Sequence, residues 1–342
     1  MMDQRYTRRL ESIEAQLDRW LPEGPGFSQW VADVFPGLAD GPDPRLVRAL
    51  TAPGRDLLSR GGKRWRPLLA TLVCEALGGG EAALPLAPLV EFCHNASLIH
   101  DDIEDNSDER RGKPAVHIMH GVDAAINSGS FLYFLPLACI DTWAADAGDR
   151  AKVYALWAAS LRKLHLGQAI DIHWHRNFDV VPAVEEYLTM CRLKTGCLAR
   201  FAAELGIAAA EAAGRVVPAQ GLGEAAEKLG VGFQILDDVK NVTSGLPGKK
   251  RGDDVVEGKK SLPVLLFLRK KPEAREMVSR CFGAARSGGV GVPEVEELIG
   301  ALLAAGVLDE ADAQGKALIA EARDAFALTG NALLSGMVDH IS

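Results

Sequence analysis

Carboxylate side chains are concentrated in one short segment of the chain, where their spacing could support metal chemistry. Residues 100–117 read HDDIEDNSDERRGKPAVH, with six acids among nine consecutive positions. Asp101 and Asp105 lie four residues apart, so on a helix they share one face with Cβ atoms roughly 5–6 Å apart. Two carboxylates at that distance can hold hard divalent cations, which keep other coordination positions for water or phosphate. The spacing therefore predicts a divalent-cation site that can accept a phosphorylated ligand.

An exposed acidic helix end and a calcium-binding loop are the two simpler interpretations of this segment. Acids at a helix C-terminus face the negative end of the helix dipole, and like charges four residues apart repel. In a solvated helix end, nothing would offset this unfavourable electrostatic energy. A calcium loop of the EF-hand type needs glycine at its sixth position, and counting from Asp102 places Ser107 there. Both arguments favour the cation site.

Two arginines follow the acids directly. Arg110 and Arg111 carry planar guanidinium groups, which bind phosphate oxygens in pairs. Next to a carboxylate cluster, they indicate a diphosphate held from both sides. A salt bridge to Asp108 or Glu109 is the alternative role for this pair.

A basic segment lies upstream, at residues 61–67, which read GGKRWRP. It is not a Walker A loop, because the GxxxxGK[ST] spacing is missing. Lys63 and Arg66 stand near a predicted helix start, where backbone N–H groups and the dipole favour anions. An ordinary helix start with charged residues is the alternative.

A second acidic pair ends another apolar helix. Residues 233–241 read FQILDDVKN, with Asp237 and Asp238 adjacent and Asn241 four positions after the first of them. The following stretch, 248–263, reads GKKRGDDVVEGKKSLP. A glycine-rich, lysine-bearing loop beside a metal site can close over phosphates, although alone it is also typical of a surface loop.

Two histidine pairs have spacings that occur in zinc sites. His173 and His175 form HxH, and His117 and His120 form HxxH. Neither pair has the third ligand that zinc requires, so we expect these histidines to be satisfied within the fold or to lie at the surface.

Long helices must position these groups, because helical periodicity dominates the chain. Near the start, apolar side chains at steps of three and four predict an amphipathic helix whose stripe is core or a subunit contact: Tyr6, Leu10, Ile13, Leu17 and Trp20. Segments rich in Ala and Leu predict helices at 82–107, 121–145, 149–175, 182–212, 218–242, 292–304 and 308–328. Strand signals are nearly absent, and no linker divides the chain convincingly. We predict a single all-α domain of about a dozen helices.

Composition is that of a folded, mildly acidic protein. The 342 residues are 48% hydrophobic and 25% charged, with a formal charge of −8, which argues against disorder and against general nucleic-acid binding. Six scattered cysteines form no CxxC pair, and the N-terminal region has no apolar signal core, so we expect a cytoplasmic protein with reduced thiols. The apolar run 131–140 is about half of a membrane span, so no integral membrane segment is expected.

Taken together, these motifs resemble those of the trans-isoprenyl diphosphate synthases, the polyprenyl synthetase family. DDIED at 101–105 matches the first of the family's two aspartate-rich motifs, and similar segments follow in order: LRKLHLGQAIDIHW (161–174), RLKTG (192–196), GFQILDDVKN (232–241) and DVVEGKKSLP (254–263). Within the family, the flanking residues are most like those of geranylgeranyl diphosphate synthases of the eukaryotic type. The resemblance covers roughly residues 60–268.

The resemblance implies a large helical bundle, the isoprenoid synthase type I fold, with a central active-site cavity. It implies an N-terminal helical extension at 1–40 and a catalytic domain at 41–342. It also implies a homodimer, with the helix at 121–145 as a candidate contact. The subgroup often carries Asn where the second motif usually ends in Asp, which leaves metal ligation by Asn241 open.

Site residues are implied in the same way, position by position. Three Mg²⁺ ions would be held by Asp101, Asp105 and Asp237, which with Lys194 form the catalytic set. The allylic diphosphate would contact Arg110, Lys194, Thr195, Gln234, Lys249 and Lys259, with Lys250 and Arg251 as alternatives to Lys249. Isopentenyl diphosphate would bind Lys63, Arg66, His94 and Arg111.

The resemblance also links product length to the helix before Asp101. Bulky aromatic residues four and five positions upstream limit the chain in the family, whereas this sequence has Ser97 and Ala96 there and Cys93 one turn further back. Small residues indicate a deeper pocket and a product of the length of geranylgeranyl diphosphate or longer, although they also permit close helix packing. On the next helix, three aromatic residues could form a lower floor or pack in the core: Phe131, Tyr133 and Phe134.

The implied activity is condensation of isopentenyl diphosphate with dimethylallyl, geranyl or farnesyl diphosphate to a trans-polyprenyl diphosphate. A terpene cyclase on the same fold is one alternative, but it need not keep residues for isopentenyl diphosphate. A non-catalytic subunit that regulates a partner synthase is another, but such subunits lose the first aspartate motif.

Overall fold

The chain folds almost entirely into helices in a computed structural model that describes residues 4–22, 27–35, 37, 43–215, 221–245 and 250–341. The helices before residue 177 are α1 (Gln4–Trp20), α2 (Phe27–Val34), α3 (Pro44–Ser59), α4 (Trp65–Ala76), α5 (Ala87–Glu104), α6 (Val116–His120), α7 (Val122–Phe134), α8 (Leu137–Thr142) and α9 (Ala147–Arg176). Those that follow are α10 (Val184–Cys191), α11 (Cys197–Ala212), α12 (Leu222–Thr243), α13 (Asp253–Glu257), α14 (Leu262–Lys270), α15 (Arg275–Gly288), α16 (Pro293–Ala304), α17 (Val307–Ala327) and α18 (Ala332–Ile341).

The remaining assigned elements are short. A two-stranded antiparallel hairpin pairs β1 (Glu109–Arg110) with β2 (Lys113–Pro114). Two 3₁₀ turns span Leu84–Leu86 and Pro272–Ala274, and a π-helical turn spans Arg192–Gly196. The prediction of an all-α fold is confirmed.

Some predicted helices are interrupted in the structure. The predicted helix at 121–145 is divided into α7 and α8 by a turn at residues 135–136, because Pro136 has no backbone N–H and crowds the preceding turn. The predicted helix at 182–212 contains the π-helical turn between α10 and α11. Among the helices of the described residues, eight lie outside the helix ranges predicted from the sequence: α2, α3, α4, α6, α13, α14, α15 and α18.

The helices group into two compact units. The first contains residues 1–159, 201–223 and 326–342, and the second contains 160–200 and 224–325. Each crossing between them falls inside a helix, namely α9, α11, α12 or α17. The sequence predicted one domain because no polar linker marks these crossings. The boundary predicted at residue 40 stays a prediction.

In the first unit, α5 is the central helix and packs against α1, α3, α4 and α7. Its apolar side chains, such as Phe92 and Ile99, are fully buried. The predicted stripe on α1 is core, since Ile13 and Leu17 are fully buried and the helix packs on α4 and α5. The Tyr6 hydroxyl donates to the Leu333 carbonyl at 2.8 Å, which ties α1 to α18.

In the second unit, one apolar core joins α12, α14, α15 and α16. Gly167 of α9 lies against the π-helical turn, and a Cβ added there would come within 2.4 Å of the Lys194 amide nitrogen. No side chain fits at that distance, so glycine is required for this close backbone approach. All six cysteines of the chain are buried free thiols, and they occur in both units.

One stretch of the described residues is long and apolar enough to cross a membrane by length and composition. It spans Val122–Thr142, with a mean hydropathy of 1.2, and is half buried. The core helix of a protein without a membrane span passes the same test, and the turn before α8 interrupts this one. The cytoplasmic location stays a prediction.

Candidate active site

The first aspartate-rich motif lies at the C-terminal end of α5, as its spacing predicts. Asp101 belongs to the last turn of the helix, and Asp105 caps it, with its amide donating to the Asp101 carbonyl at 2.9 Å. Both aspartates are partly exposed. Two partly exposed carboxylates therefore share one face at the end of α5.

Asp102, between them in sequence, is fully buried and has a different function. Its Oδ1 accepts a hydrogen bond from Nε of Arg110 at 2.8 Å and a second, shorter one from Nη2. The same guanidinium nitrogen, Nη2, lies 3.7 Å from Oδ2 of Asp101. Asp102 thus holds Arg110 beside the metal-binding candidate. Sequence reasoning assigned Asp102 no role, although its adjacency to Asp101 turns it to another side of the helix.

The β1–β2 hairpin fixes the backbone of Arg110. Its two turn residues, Arg111 and Gly112, both have positive φ, at 53° and 72°, as a tight two-residue hairpin turn requires. Arg60, the residue that caps α3, donates to the Arg110 carbonyl at 3.0 Å and to the Pro114 carbonyl at 2.9 Å. The hairpin is therefore held to the helical core by a side chain.

Arg111 points away from Arg110, into a buried polar network. Its Nη1 donates to the Leu57 carbonyl at 3.1 Å and to Oδ1 of Asn95 at 3.2 Å. Asn95 in turn donates to Oε1 of Glu91 at 3.0 Å, and Glu91 pairs with Arg64 at 2.8 Å. Burial lowers the pKa of Arg111 to about 10, which leaves it charged at neutral pH.

His94 lies among these cations. Its Nε2 is 3.4 Å from Nη1 of Arg66. Burial lowers its pKa well below the usual range, and the charges of Arg66, Arg111, Arg110 and Arg64 lower it further. His94 is therefore neutral at neutral pH, and the surrounding field favours an anion. The structure brings together three of the four residues predicted to bind isopentenyl diphosphate.

Lys63, the fourth, is exposed and donates to the Ile341 carbonyl at the end of α18. The contact with the C-terminal helix was not predicted, because nothing in the sequence relates positions so far apart. Its predicted role as a phosphate ligand stays a prediction.

The residues predicted to set product length line the same helix. Cys93 and Ala96 are fully buried, and the half-buried Ser97 donates to the His94 carbonyl at 2.8 Å. On α7, Tyr133 is buried and stacks on His100 of α5, with ring centroids 5.7 Å apart. Tyr133 therefore packs against the helix on which product length is predicted to depend, and it gives His100 a packing role.

The other two aromatic residues of α7 lie elsewhere. Phe131 stacks on Phe35 at 5.8 Å, and Phe134 is 60% exposed with its ring 6.0 Å from that of Trp157. Tyr133 is thus the one of the three whose ring stacks on α5.

In the second unit, the π-helical turn presents Lys194 and Thr195. The Lys194 ammonium pairs with Oδ2 of Asp171 on α9 at 2.6 Å. The Thr195 hydroxyl donates to Oε1 of Gln234 on α12 at 2.9 Å. π-helical insertions are frequent at functional sites, and here one aims consecutive side chains at two different helices.

The second aspartate pair repeats the arrangement of the first. Asp237 is exposed, whereas Asp238 is buried. The Asp238 carboxylate accepts hydrogen bonds from the Tyr187 hydroxyl at 2.7 Å, from Nε2 of Gln234 at 3.0 Å and from the Leu262 amide at 3.2 Å. Burial raises the pKa of Asp238, and these donors oppose the shift.

Lys259 and Lys260 differ sharply in environment. The Lys259 ammonium pairs with Glu257 and lies 3.8 Å from Oδ1 of Asp254. The Lys260 ammonium lies 4.6 Å from the Phe282 ring centroid, and burial lowers its pKa to about 8. Lys259 is therefore the better placed of the two for an ionic ligand.

His175 lies near these lysines and was not predicted as part of the site. It is buried, and burial lowers its pKa, with the charges of Lys259 and Lys194 acting in the same direction and Asp171 opposing them. The sequence feature that could have indicated this location is the spacing of His175 on α9, four residues after Asp171 and on the same face.

Lys249 lies outside the described residues, and Arg251 pairs with Glu296.

The carboxylates of the first aspartate-rich motif match the oxygen ligands that Mg²⁺ prefers. Across the described ranges, no three His, Cys, Asp or Glu side chains converge on one point as a ready metal centre. Mg²⁺ does not need such a cage, because it is usually bound by one or two carboxylates, substrate phosphates and water. The helical pair Asp101 and Asp105 supplies that donor set.

Comparisons with known proteins identify the family. The polyprenyl synthetase family model matches residues 47–299, and the chain belongs to that family. It is 34% identical over 276 residues to geranylfarnesyl diphosphate synthase of Aeropyrum pernix, which covers 78% of this chain and 84% of that protein. It is also 34% identical over 241 residues to geranylgeranyl pyrophosphate synthase of Eremothecium gossypii, covering 68% and 74%.

Solved structures agree with the family assignment. Geranylgeranyl pyrophosphate synthetase of Pyrococcus horikoshii superposes with a TM-score of 0.77 at 27% identity, over 96% of this chain and 98% of that one. A polyprenyl synthase of Caulobacter crescentus, complexed with calcium and isoprenyl diphosphate, also gives 0.77, at 25% identity over 99% and 96%. The resemblance inferred from the motifs is confirmed.

The lowered pKa of His94 predicts a pH dependence of stability. Below the ordinary histidine pKa of about 6.5, the unfolded chain binds a proton at this position that the folded chain resists. The free energy of unfolding should therefore fall as the pH drops through that region. Urea unfolding midpoints between about pH 7.5 and about pH 5 should show a shallower slope for His94→Gln than for the unaltered chain. His173→Gln, at an exposed histidine, is the control, and equal slopes in all three proteins would contradict the prediction.

Proposed function

We propose that the chain is a Mg²⁺-dependent prenyltransferase that condenses isopentenyl diphosphate with an allylic diphosphate. The product would be a trans-polyprenyl diphosphate of the length of geranylgeranyl diphosphate or longer. Membership of the polyprenyl synthetase family and the names of the relatives support this activity. The single observation that carries it is the cluster of Arg66 and Arg111 around neutral His94, on the helix that ends in the aspartate motif.

That second site distinguishes elongation from cyclisation. Arg66 and Arg111 flank neutral His94 in the first unit, one to two helical turns of α5 before Asp101. A cyclase ionises one diphosphate and has no use for a second cationic pocket. An elongating enzyme must hold two diphosphates at once, and the two half-buried arginines match that need. Retention of both Asp101 and Asp105 at the helix end argues against a non-catalytic subunit.

The reaction follows from the charges that the site can stabilise. Cleavage of the allylic C–O bond leaves its electron pair on the diphosphate and a carbocation on carbon. Mg²⁺ bound by Asp101, Asp105 and Asp237, three ions in all, would supply positive charge for the leaving diphosphate. Arg110, already held beside Asp101, would bind the oxygens on which charge grows.

The side chains of the second unit would act on diphosphate oxygens in the same way. Lys194 and Lys259 carry the positive charge, and Thr195 and Gln234 supply polar contacts. Lys194 and Lys259 are now paired with carboxylates, so phosphate would replace the carboxylates or share the lysines with them. We assign Lys249 the same role from the family motif.

The second substrate would bind through its diphosphate at Arg66, His94, Arg111 and Lys63. Its double bond attacks the carbocation, which forms the new C–C bond, and the proton then lost passes to the released diphosphate. His94 is an unsuitable base because its burial and the surrounding arginines disfavour its protonated form. Exclusion of water protects the cation until attack.

We also propose a homodimer formed through α6 and α7. Their outer faces carry large apolar side chains that are about half exposed: Ile118, Met119, Val122, Ile126 and Phe134. Three of them recur at four- and eight-residue steps along α7, which makes one apolar stripe interrupted at Ser130. A second copy of the chain would bury the same stripe of both protomers across a two-fold axis.

The elongation activity is tested with purified protein, Mg²⁺, labelled isopentenyl diphosphate and each allylic primer in turn. Label should enter an extractable polyprenyl product, and chelation of Mg²⁺ should abolish this. Asp101→Asn should lower kcat by about 100-fold or more, because leaving-group stabilisation is lost. Asp108→Asn, at an exposed acid of the same segment, is the matched control. No labelled product with any primer would refute elongation, and a cyclic hydrocarbon would favour the cyclase.

Product length should respond to the residues upstream of Asp101. Ala96→Phe or Ser97→Phe adds a ring to the helix that the growing chain is proposed to follow, so the product should shorten. Ser97 is half buried and tolerates bulk better than fully buried Ala96. Ala313→Phe, at an exposed alanine of α17, controls for added bulk. Chromatographic sizing that finds an unchanged product in both variants would refute the placement of the pocket.

The dimer should depend on the α7 stripe. Ile126→Glu places a charge in the proposed interface, so light scattering should report a monomer where the unaltered chain is a dimer. Leu303→Glu changes an equally exposed leucine on α16 and should leave the dimer intact. A monomeric unaltered chain, or a dimeric Ile126→Glu variant, would contradict this interface.

A further inference from the structure

Asn241, the last position of the second acidic motif, faces the chain's own backbone. It is 1% exposed. Its Oδ1 accepts a hydrogen bond from the Asp254 amide at 3.2 Å, and its carbonyl accepts one from the Gly252 amide at 2.9 Å. Within the described residues its Nδ2 is buried without a hydrogen-bond partner. The oxygen that could ligate a metal is thus occupied at the start of α13.

Asp238 anchors the other end of the same segment. Its Oδ2 accepts the Leu262 amide at 3.2 Å, at the first residue of α14, and also the Tyr187 hydroxyl. Residues 252–262 are therefore tied to α12 at both ends, by Asn241 at one end and by Asp238 at the other. Lys259 lies between the two anchors.

The anchored segment has little regular structure of its own. Its helix, α13, has five residues and lies between Gly252 and Gly258, which have φ of 89° and 77°. A Cβ added at Gly252 would come within 2.7 Å of Cγ1 of Val295, so the turn is both left-handed and tightly packed. The short helix packs against α15, and the anchors at Asn241 and Asp238 fix the two ends of the segment that carries the Lys259 side chain.

We infer that Asp238 and Asn241 are positioning residues that hold Lys259 for diphosphate, and that Asp237 alone of these three binds metal. The inference rests on the proposed function for the identity of the ligand. It also explains the amide at position 241. An aspartate there would bury another carboxylate close to buried Asp254, whereas asparagine supplies the same acceptor oxygen without charge.

The test compares Asn241→Leu with Asp237→Asn in two measurements. Amide hydrogen exchange of peptides from 250–262 needs neither metal nor substrate. Loss of the Asn241 acceptor should speed that exchange roughly tenfold, and loss of the Asp237 charge should leave it unchanged. Asn177→Leu, at an exposed asparagine of the same unit, is the matched control.

Steady-state kinetics supply the second measurement. Asn241→Leu should raise KM for the allylic diphosphate roughly tenfold and leave the Mg²⁺ concentration for half-maximal rate unchanged. Asp237→Asn should raise that Mg²⁺ concentration. Asn241→Asp should not lower it, since the added carboxylate faces the Asp254 amide.

Several outcomes would overturn the inference. Unchanged exchange in Asn241→Leu would contradict a positioning role for Asn241. A raised Mg²⁺ requirement in that variant would indicate that Asn241 binds metal. If Asn241→Leu does not fold, Tyr187→Phe removes one hydrogen bond to Asp238 and should speed exchange of the same peptides. The control is Tyr154→Phe, at a half-buried tyrosine whose hydroxyl donates to Asp141. An unaltered chain without elongation activity would refute the proposed function alone, because exchange is measured without substrate.

Discussion

Adjacent residues on an α-helix point in directions about 100° apart, and both aspartate pairs are built on that geometry. In each pair the first carboxylate reaches the open side of its helix, and the second turns inward. Inward-facing Asp102 and Asp238 are buried, and burial of a carboxylate is tolerated only with strong hydrogen-bond partners. The partners are the segments that must be positioned: Arg110 after the first pair, and the start of α14 after the second. The hydrogen-bond partners that each buried carboxylate requires therefore also position the groups around the outward-facing carboxylate beside it.

In the first unit, a buried polar network partly balances the positive charge of the arginines. Buried Arg64 and half-buried Arg111 repel each other, and the Glu91–Asn95 network lies between them. The network offsets part of the positive charge and leaves a surplus around His94. The surplus positive charge can attract an anion without a metal ion. The aspartates two turns further along α5 are negatively charged, so they can bind an anion only through a metal ion. This charge distribution is the basis for proposing two diphosphate sites of opposite polarity on one helix of an acidic protein.

Sequence patterns predicted the parts of the site that depend on local geometry. The helical pair Asp101 and Asp105 follows from a spacing of four, and long apolar periodicity located most of the main helices. The anchoring roles of Asp102 and Asp238 could not be predicted, because each depends on a donor that only the tertiary fold brings to it. The π-helical turn at 192–196 was missed for a similar reason. Its register depends on a glycine contact from α9, and the composition of RLKTG does not differ from that of an ordinary helix.

Because all six thiols are buried, the rate at which a thiol reagent modifies them in the unaltered chain reports local opening of the fold. Burial raises the pKa of Cys74 to about 11 in the first unit and that of Cys281 to about 11 in the second, so neither forms appreciable thiolate while folded. A thiol reagent can modify these positions only when the surrounding helices separate. Peptide mapping of slow alkylation would then assign an opening free energy to each unit separately, with no engineered probe, and would show which unit loosens first.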